Sequence, residues 1–300
     1  MKIGFSSMVC PNWDLATMIA RAAELGFDGV EVSLHEDASL SSQAARLAAD
    51  PDAARKRFDA AGVRLLCIGA SFPIESPYRD RVAANQRKIV DAIELAGKVG
   101  CPYVRVPFGP IEWLDTRSHV LSRVGEAFGD LIPHAVANGV TILLENGADL
   151  PDSRAVWFVL DAVSHPALQC CFDPCVAMGA GDPPTIWAPR LNRRIAMVRV
   201  CDAAFDERGA FQEYRLPGEG SLEWARILPL LRGLLFDGLL MFHWPKALES
   251  ALPEPDEVLP KVIAYLRERI SERQEPLSAY RKDKYVPNYG AAPQPGAVAT

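Results

Sequence analysis

Along this chain the hydrophobic pattern keeps changing its period. Eight short stretches are rich in β-branched, aromatic and aliphatic residues: "IGFSSMV", "GVEVSL", "VRLLCIGA", "YVRVPF", "VTILLEN", "LQCCFD", "AMVRVCD" and "GLLMFHW". Gly, Pro, Asn or Asp bounds each one, which is the signature of short buried strands. The segments between them switch to helical spacing. In "DLATMIARAAELG", Leu15, Met18, Ile19, Ala22 and Leu25 share one face, with Asp14 as N-cap and Gly26 just past the end. "NQRKIVDAIELAGKVG" and "DEVLPKVIAYLRERI" repeat the pattern, the second closing on a basic last turn that suits the helix dipole.

Regular strand–helix alternation implies a parallel sheet with right-handed crossovers. Eight such units close into a single (β/α)8 TIM barrel, whose active site lies at the C-terminal ends of the strands. An open doubly wound sheet would want a G-x-G-x-x-G turn after the first strand, and "SSMVCPNWD" is not one. No nucleotide cofactor is therefore expected. The barrel should span residues 1–275. Residues 276–300 contain "NYGAAPQPGAVAT" and show no apolar periodicity, so they are expected to form an extended or disordered C-terminal tail, ordered at most where Tyr280, Tyr285 and Tyr289 dock.

Composition narrows the function classes. A 49% hydrophobic and 23% charged chain of 300 residues has ample material for a core. A formal net charge of −6 gives no basic footprint for nucleic acid. No apolar run approaches the roughly 20 residues that cross a bilayer, so no membrane role is expected. The N-terminal stretch has no secretory pattern, and the cytoplasm is the default. Five of the seven cysteines (Cys67, Cys101, Cys170, Cys171 and Cys201) fall in strand-like runs, as buried free thiols do in a reducing compartment. Cys170, Cys171 and Cys175 in "CCFDPC" invite a zinc reading. Against it, a second CxxC-type pair is missing, and adjacent cysteines on a strand face opposite ways.

The strand ends carry the chemistry. Strand five ends in Glu145 and strand six in Asp173, so two carboxylates meet at the barrel mouth. Such a pair binds a cation, shares a proton or takes a basic partner. Strand seven holds Arg199 between apolar neighbours, with Met197 and Cys201 on the same face and Asp202 at its end. A buried guanidinium is costly unless something negative waits for it. Strand eight offers His243 at the matching position. Glu31 and Arg105 can reach the pocket from strands two and four. Glu219 sits in the "PGEG" loop, where backbone N–H groups could hold an anion, and Lys246 follows strand eight. Trp13, Trp113, Trp187 and Trp244 could form an apolar wall.

These pieces together resemble a known family. "CPNWDLATMIARAAELGFDGVEV", "LLEN", "FDP", "LPGEGSLEW" and "FDGLLMFHWPKALESALPEPDEVLP" are similar, in order and spacing, to the xylose isomerase-like barrels of sugar phosphate isomerases and epimerases, over roughly residues 1 to 270. The resemblance implies one divalent metal (Mn, Mg, Co or Zn) held by Glu, Asp, His and Glu from strands five to eight. Glu145 and Asp173 match the first two ligands. The family's strand-seven histidine is Arg199 here, its last glutamate is His243, and a histidine often found after the aspartate is Val176. The metal site is degenerate.

Two arrangements follow. In one, Arg199 lies between Glu145 and Asp173 and supplies the positive charge itself. In the other, Arg199 turns outward to a substrate anion while Glu145, Asp173 and His243 hold a metal. Either way, the expected activity is proton transfer next to a carbonyl on a polyhydroxylated or keto-sugar-like small molecule, by isomerisation, epimerisation or dehydration. Glu145, His243 and Arg199 would be catalytic, with Arg105, Asp202, Glu219, Lys246 and Glu31 around the substrate. The rival expectation is a barrel without catalysis that binds a ligand or a partner. A homo-oligomer is compatible with both.

Overall fold

Strands β1 (Lys2–Ser6), β2 (Gly29–Leu34), β3 (Arg64–Ala70), β4 (Tyr103–Pro107), β5 (Thr141–Glu145), β6 (Leu168–Phe172), β7 (Ile195–Val200) and β10 (Leu239–Phe242) pair in parallel and in sequence order. β10 returns to β1, with Phe242 beside Phe5, and closes a (β/α)8 barrel. The computed structural model describes residues 1–76, 78–109, 116–147, 149–207 and 209–271. The expected tail over 276–300, its three tyrosines and Trp113 lie outside the described residues. No helix among the described residues is long and apolar enough to cross a membrane.

The helices form where the spacing predicts them. Leu15–Leu25 starts on Asp14, whose carboxylate accepts the Thr17 N–H at 2.7 Å, and ends at Gly26 with φ of 79°. Arg79–Val99 and Pro255–Ser271 cover the other two predicted segments. Their apolar faces pack on the outward-facing strand residues (Val30, Val32, Ile68, Val104, Ile142, Val198, Leu240) in one large core. A second, smaller cluster plugs the barrel interior: Leu66, Cys67, Leu143, Cys171, Met197, Leu239 and Met241. Cys170 belongs to the outer core and Cys171 to the inner one, as strand alternation requires.

One element is not evident from the apolar pattern. After β7 the chain forms an antiparallel hairpin, β8 (Asp202–Phe205) with β9 (Phe211–Arg215), standing over the C-terminal mouth. Its β9 strand is exposed on nearly every residue, so it carries no core-facing alternation to read.

Candidate functional site

The inward side chains above the apolar plug are charged. Glu31 from β2, Arg105 from β4, Glu145 from β5 and Arg199 from β7 form a closed ring in which each charge meets two of opposite sign. Arg199 donates from Nε to Glu145 Oε1 at 2.8 Å and from Nη1 to Glu31 Oε1 at 3.1 Å. Arg105 donates from Nη1 to Glu145 Oε2 at 2.5 Å and from Nε to Glu31 Oε2 at 3.4 Å. Ser6 Oγ adds a bond to Glu31 at 3.1 Å. Gly69 on β3 makes room for this ring. A Cβ at that position would lie 2.6 Å from Arg105 Nη2 and 3.1 Å from Glu31 Oε1.

Arg199 and Glu31 are almost wholly buried, at 2% and 0% side-chain exposure, while Glu145 keeps 14% toward the mouth. Burial alone would raise the Glu31 carboxyl, but Arg199 and then Arg105 override it and hold it at about 2. Glu145 is lowered in the same way, by Arg105 and Arg199 against burial. The two glutamates in turn keep the Arg199 guanidinium charged despite its burial. Ring charges therefore cancel, and all four groups stay ionised.

Above the ring opens a cavity of about 670 Å³, lined among others by Arg105, Glu145, Asp173, Arg199, His243 and His35. His243 is kept neutral. Burial and then Arg199 lower its pKa to about 3, and its buried Nδ1 has no hydrogen-bond partner among the described residues. Asp173, at the end of β6, caps the helix Pro174–Gly179 through Oδ1, which accepts from Cys175 N at 2.8 Å and Val176 N at 3.3 Å. Burial, followed by the Glu145 charge, pushes its carboxyl up. Asn146 fixes Asp173 from behind: its Oδ1 accepts the Asp173 N–H at 2.7 Å, and its Nδ2 donates to the Asp173 carbonyl at 3.0 Å.

Several expected partners differ. Arg199 meets Glu145, but its second carboxylate is Glu31 and not Asp173. The reason is reach: Glu31 projects into the barrel axis from the opposite wall, whereas Asp173 turns back to cap its own helix. Glu145, Asp173 and His243 are not brought together as a ligand set, because both Glu145 oxygens are bonded to guanidinium groups. The divalent metal implied by the resemblance does not fit those three residues. Asp202 faces away from the cavity contents. Its carboxylate accepts the backbone N–H groups of Ala203, Gly218, Gly220 and Leu222, so the last three, the loop amides that could have held an anion, hold Asp202. Glu219 is exposed on that loop. Lys246 donates to the carbonyls of Ser250 and Leu252 and pairs with Glu254 at 2.7 Å, bracing its own loop. Trp187 packs on Phe172 and Trp244 on Phe242, both inside the core, and Trp13 packs against its edge. The aromatic wall of the cavity is instead Phe205, Phe211 and Tyr214 from the hairpin.

Cys201, on the face shared with Arg199, and Cys175, in the "CCFDPC" stretch, both line the cavity. His35 lines it too and carried no distinguishing signal in the sequence.

Comparisons agree with this architecture. The sequence profile of a family described as "Xylose isomerase-like TIM barrel" matches residues 19–269. An uncharacterized protein of Methanocaldococcus jannaschii is 24% identical over 294 residues, covering 92% of this chain and 94% of that protein. A crystal structure of IOLI protein with a bound zinc atom superposes with a TM-score of 0.77 at 14% identity, covering 90% of this chain and 98% of that one. The apo form of 3-keto-D-glucoside 4-epimerase from E. coli superposes with a TM-score of 0.72 at 15% identity, covering 89% and 99%. Further matching barrels are named as an epimerase-like protein, an epimerase and a probable dehydratase.

Proposed function

The chain belongs to the xylose isomerase-like TIM barrel family, and from that premise we propose that it moves a proton next to the carbonyl of a polyhydroxylated, sugar-like small molecule. The outcome would be isomerisation, epimerisation or loss of water. The observation that carries this reading is the ring of two carboxylates and two guanidinium groups on the floor of the cavity at the barrel mouth.

Abstracting a proton beside a carbonyl puts negative charge on the carbonyl oxygen, and that charge must be met by fixed donors. Arg105 and Arg199 present guanidinium groups at the cavity floor and cannot lose their charge. In the resting ring Nε and Nη1 of each guanidinium bond to Glu145 and Glu31, which makes Glu145 a weak base. A substrate oxygen that draws donors from Arg199 frees the Glu145 carboxylate in the same event. Its basicity then rises where the proton has to be taken. His243 is neutral, so it can donate or accept one hydrogen bond to a neighbouring hydroxyl without bringing in a charge, as a neutral imidazole does in other proton-transfer enzymes.

A binding barrel without catalysis is the second reading. It is favoured by the completeness of the ring, since four charges that satisfy one another need no substrate. Incubating keto-sugars and cyclic polyols with the protein in D2O separates the two. Deuterium should enter at the carbon next to the carbonyl with the wild type and fall at least about 100-fold with Glu145→Gln, the usual scale of a lost general base. Binding without deuterium uptake by any substrate would favour the second reading and sink the first.

A further inference from the structure

The cavity has a second cluster that the charged ring does not use. Asp173 at the end of β6, Cys175 in the following helix and Cys201 at the end of β7 each offer a ligand atom, and these atoms all lie within 4.8 Å of one another. Cys201 Sγ stands 3.4 Å from Asp173 Oδ1. All three residues line the 670 Å³ cavity, and Cys175 is only half-buried. We propose that Asp173, Cys175 and Cys201 form a thiolate-rich site for a soft divalent ion of the Zn2+ type, with its fourth position open to the cavity.

The spacing suits the ion. In a tetrahedral zinc site with Zn–S near 2.3 Å and Zn–O near 2.1 Å, neighbouring ligand atoms lie about 3.6 to 3.8 Å apart. The Asp173–Cys201 edge of 3.4 Å is already there. The remaining edges need at most about 1 Å of closure, within reach of a side-chain torsion at half-buried Cys175. Two sulfurs and one carboxylate select Zn2+ or a similar soft ion over Mg2+, Ca2+ or Mn2+, which prefer all-oxygen shells. Three protein ligands plus an open position is the form of a catalytic zinc site, whereas structural sites use four.

The supports for these ligands are also in place. Asn146 grips the backbone of Asp173 on both its N–H and C=O. Trp224 Nε1 donates to the Cys201 carbonyl at 3.0 Å, and the Cys175 N–H is tied to Asp173 Oδ1. Contacts of this kind orient metal ligands before an ion arrives. The site is separate from the ring, because Arg105 and Arg199 take both Glu145 oxygens. It stands independently of the proton-transfer reading.

Cobalt reports on this directly. The reduced full-length protein, stripped with a chelator, is titrated with Co2+ and followed by absorption. The expected result is saturation at one equivalent with a thiolate-to-cobalt charge-transfer band, and release of the Co2+ by Zn2+ but not by Mg2+. In Cys175→Ser the band should drop to about half, because one of two thiolates is gone. Cys201→Ser should behave alike. If that buried substitution fails to fold, Cys175→Ser, at a half-buried position, carries the test. Glu145→Gln should keep the full band. Failure of Co2+ to bind, binding without a charge-transfer band, or a band untouched by Cys175→Ser would each overturn the proposal. None of these readouts depends on deuterium uptake, so the two readings fail separately.

Discussion

Replacing Arg199 by methionine removes one corner of the ring while keeping a side chain of similar length. Two attractive contacts disappear, with Glu145 at 2.8 Å and with Glu31 at 3.1 Å. At an effective dielectric of 20, each is worth about 4 kcal/mol at a charge separation near 4 Å. The like-charge repulsion from Arg105 across the diagonal, about 3 kcal/mol for a square ring, is relieved at the same time. The balance is a loss of about 5 kcal/mol, in line with the 3–5 kcal/mol typical of breaking a buried pair from one side. Two buried carboxylates are then left with one guanidinium, and one of them must take up a proton. Its folded pKa rises above the unfolded value, so the proton-linked stability is fully present below that unfolded value and is lost as pH rises through the folded one. Urea unfolding followed by circular dichroism should therefore show a larger deficit for Arg199→Met at pH 8 than at pH 5. Adding Glu31→Gln should recover much of the loss at pH 8, since Arg105 and Glu145 then remain as a neutral pair. A deficit independent of pH, or a double variant that costs the sum of its parts, would refute the ring as the source of the energy.

Other consequences can be measured on the same material. Gly69→Ala places a methyl 2.6 Å from Arg105 Nη2, and the resulting displacement of the ring should cost about 1–3 kcal/mol in the same unfolding assay. Asn146→Ala strands the Asp173 backbone and the Pro151 carbonyl, to which Nδ2 donates at 2.9 Å. It should lower stability by about 1–3 kcal/mol in chemical denaturation. A smaller change would mean that solvent replaces these bonds. Acid should weaken the wild type from near pH 6.5 downward. His243 is held at about 3 in the fold, and its stabilising contribution is present above its unfolded value of roughly 6.5 and is lost as pH falls toward the folded one. Glu31, held at about 2, adds to the same loss below roughly pH 4.5. His243→Gln should flatten the upper part of this acid limb, up to about 1.4 kcal/mol per pH unit; an unchanged slope would show that His243 is not its source.

How much of this was legible in the residues varies with distance along the chain. Eight barrel strands and the capped helix Leu15–Leu25 follow from local signals, because apolar period and cap chemistry act within a few residues. The pairing of Arg199 with Glu145 was also accessible, since one charge sits within a buried run and the other ends one, on strands two apart in the sheet. Its pairing with Glu31 was not. That contact joins positions 168 apart, and it depends on which side chains point across the axis once the barrel is closed. Asp173 was drawn off by a local competitor, the free N–H groups of its own helix start, which a capping aspartate satisfies. Asp202 was drawn off likewise by three loop amides and the N–H of Ala203. The β8–β9 hairpin escaped because its outer strand buries almost nothing. The metal-type cluster escaped because its third member, Cys201, comes from another strand.

The ring also bears on how the chain reaches its folded state. Its corners divide evenly between the two halves of the sequence: Glu31 and Arg105 from the first four strands, Glu145 and Arg199 from the rest. Each half contains one internal pair, Arg105 with Glu31 at 3.4 Å and Arg199 with Glu145 at 2.8 Å. A half-assembled barrel can therefore bury its charges as a neutral couple. Docking the halves only rearranges partners, adding Arg105 to Glu145 and Arg199 to Glu31. Neither half leaves an ion without a partner of its own, and the two contacts that join them link surfaces already balanced in charge.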